Sequence, residues 1–165
     1  MSKCSDDAKG PAMILNSGSV SDTNLTNTDK YGRYTLKYTV GMGNSSFLAL
    51  NDVINSLMER NTENPGMVKI PWTVDEDTNM VTVKVTSRKK PPVMDVDKRV
   101  ISSSELRDGD FCKINVTPYY YEHAENINIP LPNGDRHDMV CMKLGVALFL
   151  NGVMKLSGES VEDLF

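Results

Sequence analysis

Apolar and polar residues alternate along several short stretches of the chain, and one longer stretch repeats at a different interval. In YGRYTLKYTVG, Tyr34, Leu36, Tyr38 and Val40 alternate with Arg33, Thr35, Lys37 and Thr39, which predicts a strand with two unlike faces. NMVTVKVTS sets Met80, Val81, Val83 and Val85 against Thr82, Lys84 and Thr86, until Pro91 and Pro92 interrupt the pattern. In DGDFCKINVTPYYYE a turn at Asp108 and Gly109 opens a strand with Phe111, Lys113, Asn115 and Thr117 on one face and Cys112, Ile114 and Val116 on the other. The run VCMKLGVALFLNGVMKLSGE reads as a final strand, bent or bulged at Gly145 and Gly152. Between the first two strands, Phe47, Leu50, Ile54, Leu57 and Met58 recur at helical spacing behind Asn44, Ser45 and Ser46, any of which suits a helix cap. A helix is expected over about residues 45–60, ending before Pro65 and Gly66.

Two stretches carry no such period. The first 29 or so residues are rich in Ser, Asn, Thr, Asp and Gly and read as loop, with one brief strand at Met13, Ile14 and Leu15. The polar segment from Glu122 to Asp138, holding Pro130, Pro132 and the turn Asn133-Gly134-Asp135, reads as a long hairpin connection. One helix amid five or more short antiparallel strands fits a small barrel with a helical insertion better than a βαβ repeat.

Length and composition agree with one domain over residues 1–165: 39% of the residues are hydrophobic and 24% charged, enough for an independent core. No apolar run approaches the roughly 20 residues that cross a bilayer, and no basic flank with an apolar stretch opens the chain, so neither a membrane partner nor export is expected. Cys4, Cys112 and Cys141 are scattered and form no C-x-x-C pair, which suits reduced thiols in a cytoplasm. A formal net charge of -4 excludes a chain that is basic throughout. Charge is instead segregated. From Lys84 to Arg107 the chain carries Lys84, Arg88, Lys89, Lys90, Lys98, Arg99 and Arg107 against Asp95, Asp97 and Glu105, whereas residues 157–165 carry Glu159, Glu162 and Asp163 and no base.

Four stretches, KVTSRKKPPVMD, LRDGDFCKINVTPYYYE, LGVALFLNGVMKLSGE and the weaker RYTLKYTVG with its following helix, occur in an order that resembles the phage-encoded single-stranded-DNA-binding proteins, a divergent OB-fold family. The likeness rests on the basic loop with its prolines at Arg88 to Asp95 and on the turn at Gly109 and Asp110, which opens a strand tipped by Tyr119 to Tyr121. It also rests on the closing strand from Gly145 to Val153 and on the Gly158-Glu159 pair. The resemblance implies an OB-like antiparallel β-barrel with one α-helix. It further implies sequence-independent coating of single-stranded DNA in replication, recombination or repair, with no cofactor, in the host cytoplasm. The family's acidic tail is longer than the short end seen here, which bears on recruitment of replication or recombination proteins.

Binding of single strands needs cations along a groove to replace counterions on phosphates, and flat rings on which bases stack. Candidates are Arg33, Tyr34, Lys37, Tyr38, Trp72, Lys84, Arg88, Lys89, Lys90, Lys113, Tyr119, Tyr120 and Tyr121. Each has a plainer alternative: Tyr34, Tyr38 and Trp72 as packing residues, and Arg88 to Lys90 as a solvated loop. Consecutive strand residues point to opposite faces, so either Tyr120 or the pair Tyr119 and Tyr121 is exposed. Glu162, Asp163 and Phe165 are a miniature of a partner-binding acidic tip, or simply the end of the fold. RNA fits the same chemistry, and a homodimer is compatible with it.

An enzyme is not expected. His123 and His137 are the only histidines, and Glu122, His123, Asp135, His137, Asp138 and Cys141 match no metal-ligand spacing, so no metal is assigned. The other class open to this chain is a viral structural or assembly protein on the same barrel. It would have no reason to gather Arg33, Lys37, Lys84, Arg88, Lys89, Lys113 and Tyr120 on one continuous face.

Overall fold

The structure is a computed structural model and describes residues 8–30 and 32–156. Its elements in chain order are β1 (Met13–Asn24), β2 (Tyr34–Gly41), α1 (Ser45–Asn61), β3 (Val68–Lys69), β4 (Trp72–Asp75), β5 (Met80–Ser87), β6 (Val93–Met94), β7 (Phe111–Pro130) and β8 (Arg136–Lys155). Five of them close on themselves in the order β1-β2-β5-β8-β7 and back to β1, with the parallel contact Thr86 to Phe149 sealing β5 against β8. This is the expected mainly β, OB-like barrel with one helix.

The alternating residues build it. Leu36, Tyr38 and Val40 of β2, Val81, Val83 and Val85 of β5, and Cys112, Ile114 and Val116 of β7 are buried, as are Val146, Leu148, Leu150 and Val153 of β8. The helix spans Ser45–Asn61, as the periodicity predicts; the Asn44 side chain accepts from the Phe47 N–H at 3.1 Å and caps it. Its apolar stripe, Phe47, Leu50, Ile54, Leu57 and Met58, joins the barrel core. Among the described residues no helix is long and apolar enough to cross a membrane.

Two expectations are corrected. The loop-like start is a 12-residue barrel strand, β1, between β2 and β7. Its inward residues are Leu15, Gly18 and Val20, and a register shift between Leu15 and Gly18 breaks the two-residue period, so little apolar signal shows. Gly18 is itself a core position: a Cβ there would stand 2.5 Å from Cζ of Tyr38, whose ring fills that space. The second correction concerns residues 122–138. They are not a loop but the outer halves of β7 and β8, in continuous register from Glu122 opposite Leu144 to Pro130 opposite Arg136, with only a tight turn between the strands.

Candidate nucleic-acid interface

One edge of β8 carries three short partners with gaps between them: β3 at Leu144 and Gly145, β5 at Phe149, and β6 at Val153 and Met154, all parallel. Over those gaps lies a groove in two connected parts. The larger, about 900 Å³, is bounded by Met67, Lys69, Ile70 and Pro71 on one side and by Tyr119, Tyr121, Glu122, His123, Met142 and Lys143 on another, with Arg33, Lys84, Thr86 and Arg88 completing it. The smaller, about 620 Å³, runs between Ser87 to Pro92 and Tyr119, Phe149, Leu150 and Asn151. Arg88, Tyr119 and Phe149 belong to both parts and make them continuous.

Strand alternation aims the rings. Tyr119 and Tyr121 leave β7 on its outer face, and Phe149 leaves the outer face of β8 between the buried Leu148 and Leu150. Tyr119 and Phe149 lie with ring centroids 5.7 Å apart at 54°. Tyr121 lies across the strand onto Gly145, where a Cβ would be 2.5 Å from the ring's Cζ. Gly145 is therefore the residue that lets this ring lie down on the sheet. The charge is one-sided: Arg33, Lys69, Lys84, Arg88, Lys89, Lys90 and Lys143 line the groove, and Glu122 is its one carboxylate. Such a concentration of cations beside exposed rings suits a polyanion carrying flat groups.

Of the residues singled out from the sequence, the fold brings Arg33, Lys84, Arg88, Lys89, Lys90, Tyr119 and Tyr121 together. The others lie elsewhere. Tyr38 is 1% exposed inside the barrel, and burial, with Cys112 beside it, holds its phenol well above the ordinary range. Tyr120 is 5% exposed; its hydroxyl donates to Glu122 Oε2 at 2.8 Å, and burial followed by that bond and charge pushes the phenol up to about 12. These two are core residues, not base platforms. Tyr34 packs half-buried against the core, and Trp72 meets Phe47 edge-on at 5.0 Å, so both anchor packing. Lys37 stands opposite Lys84 on the outer face but is drawn to Asp22 at 2.9 Å, away from the groove lining. Lys113 shares the outer face of β7 yet lies beyond the groove, opposite Met154. Glu162, Asp163 and Phe165 lie outside the described residues.

Other residues of the site escaped the sequence reading, Phe149, Lys69, Lys143 and Met142 among them. Phe149 had a signal, since it alternates with Val146, Leu148 and Leu150 in the final strand. Lys69 had none, because it reaches the groove through a two-residue strand whose partner, Gly145, is far along the chain. Lys143 and Met142 were read in the final strand, but their partners His123 and Ala124 were read as loop, which hid their place beside the rings. Among the described residues no three of His, Cys, Asp and Glu gather as a metal site.

No family model matches the chain, and no curated protein matches it. Solved structures do. The chain is similar to gp2.5, a single-stranded DNA binding protein encoded by bacteriophage T7, with a TM-score of 0.63 at 14% identity, over 94% of this chain and 95% of that one. It is also similar to the single-stranded DNA-binding protein of bacteriophage Enc34 in a C-terminally truncated form, with a TM-score of 0.60 at 13% identity over 88% and 86%. The Enc34 protein in complex with single-stranded DNA gives 0.56 at 13% identity over 87% and 85%. At these identities the likeness is one of fold, and over nearly its whole length this chain has the fold of bacteriophage single-stranded-DNA-binding proteins.

Proposed function

We propose that the groove binds single-stranded DNA without sequence preference, and that the protein coats such strands during phage DNA replication, recombination or repair. The observation that carries this reading is the continuity of the groove. Cations from β3, β5, β8 and the Arg88 to Lys90 loop share one face with Tyr119, Tyr121 and Phe149. Support comes from the fold neighbour in complex with single-stranded DNA. Binding is an equilibrium with no chemical step. Lys and Arg displace counterions from phosphates, and each base stacked on a ring contributes roughly 1–3 kcal/mol. A strand held this way is kept from re-annealing, and neither cofactor nor catalytic group is required.

A fluorescence-anisotropy titration of labelled oligo-dT, duplex DNA and single-stranded RNA at several salt concentrations tests the reading. Tight oligo-dT binding that weakens steeply with salt, by a slope of about 0.7 per neutralised phosphate, is expected, with duplex far weaker. The RNA arm sets the breadth of the substrate class. No binding even at low salt would leave the barrel as a scaffold for protein partners.

A further inference from the structure

Residues 8–10 run along β7 past the start of β1. Gly10 N–H donates to the Pro118 carbonyl at 2.9 Å, and Lys9 pairs antiparallel with Tyr119. The segment is pinned there: Ala8 is buried, and at Gly10 a Cβ would meet Pro118 Cγ at 2.8 Å and Val53 Cγ1 at 3.4 Å. The hydrogen bond flanks the Lys9–Tyr119 pair rather than joining it, which is the type of antiparallel pair in which the two side chains come closest and share one face. Tyr119 faces the groove, so Lys9, exposed, stands on the groove side as well.

Lys9 is thus a cation on the flank of Tyr119 opposite to Arg88. Across the sheet the order is β5 with Lys84 and the nearby Arg88, then β8 with Phe149, then β7 with Tyr119, then Lys9. Neighbouring strands lie about 4.8 Å apart, so three steps span roughly 14 Å. Two rings on adjacent strands therefore have cations on both flanks along a line that crosses the strands. A base stacked on Tyr119 would have a phosphate on either side of it, and along this line Arg88 and Lys9 are placed to meet them.

Resting on the single-stranded-DNA reading above, we propose that Lys9 is a phosphate-binding residue and that the bound strand crosses β8 and β7 toward it instead of following β8 toward Lys143. The test is oligo-dT titration of the full chain with Lys9→Ala, Lys9→Gln and Lys9→Arg beside Arg88→Ala, over a range of salt, with melting temperature recorded. Lys9 is exposed, so all four variants are expected to melt as the unmodified protein does; Lys9→Gln keeps the aliphatic stem should the alanine disturb the pinned segment. The expected result is about a three- to tenfold loss for Lys9→Ala and Lys9→Gln, a salt slope lower by about 0.7, and near-full binding for Lys9→Arg. If Lys9→Gln binds with unchanged affinity and slope while Arg88→Ala weakens binding, the proposed path is overturned and the groove stands. If neither weakens binding, the groove reading falls with it.

Discussion

From Phe111 to Val116, β7 lies between β1 and β8, residues 8–10 flank it onward to Tyr119, and Cys112, Ile114, Val116 and Tyr120 are buried. From Tyr121 to Pro130 the same strand keeps β8 as its partner and nothing more among the described elements, and opposite it Val140 and Met142 are 66% and 56% exposed. The hydrogen-bonded ladder is continuous through both halves, so pairing does not account for the difference. Closure does: inside the barrel the inward side chains join one core shared by the five strands and the helix, whereas on the arm the described side chains of both faces are mostly exposed. An isolated two-stranded ribbon is marginal in water, and the arm draws its order from the barrel that anchors it.

The two halves of the ribbon should differ most in stability. Leu148→Ala, at a fully enclosed position, is expected to cost about 2–5 kcal/mol in urea unfolding, whereas Val140→Ser on the arm stays within about 0.5 kcal/mol. Equal costs would mean that the arm is packed. The next effect separates faces of one strand. Tyr119→Ala should weaken oligo-dT binding by roughly 1–3 kcal/mol without loss of fold, while Tyr120→Phe one residue on leaves affinity unchanged. The opposite ranking would show that the inward ring reaches the ligand.

Alkaline pH probes the interior half alone. Burial, followed by the nearby Asp110 carboxylate, pushes the Cys112 thiol from 9.0 up to about 12, and burial with Glu122 pushes Tyr120 from 10.0 up to about 12. In both cases the folded state holds a proton that the unfolded chain has released. The stability they contribute is therefore complete below about pH 9 and declines as pH rises toward 12. Unfolding midpoints measured from pH 8 to 12 should show this fall, with a shallower one in Cys112→Ala. The smallest effect is expected at the groove's one carboxylate. Glu122→Gln removes a negative charge from the border of the groove and keeps an acceptor for the Tyr120 hydroxyl, so oligo-dT affinity should rise about twofold at low salt.

The same contrast explains what could be read from the sequence. Where one face is buried by closure, alternation is written plainly, as in Leu36, Tyr38 and Val40 or Val81, Val83 and Val85, and the helix over Ser45–Asn61 follows from its spacing and cap. Where closure is absent the pattern is absent, so Glu122 to Asp138 passed for a loop though it forms paired strands. In β1 the signal failed for another reason: Gly18 contributes space instead of a side chain, and the space belongs to Tyr38. The site divides similarly. Local rules found the Arg88 to Lys90 loop and narrowed the tyrosine run to two alternatives, and the barrel chose Tyr119 with Tyr121. Lys69, Lys143 and Lys9 depend on partners distant in the chain, and tertiary placement alone brings them beside the rings.

The most direct test is backbone amide chemical-shift mapping of the isotopically labelled protein on addition of oligo-dT. Lys69, Arg88, Tyr119, Tyr121, Gly145 and Phe149 are expected to shift together and saturate with one affinity, while the arm's tip from Asn133 to Asp135 stays unmoved. Shifts confined to the tip, or none in the groove at saturating oligonucleotide, would contradict the groove reading.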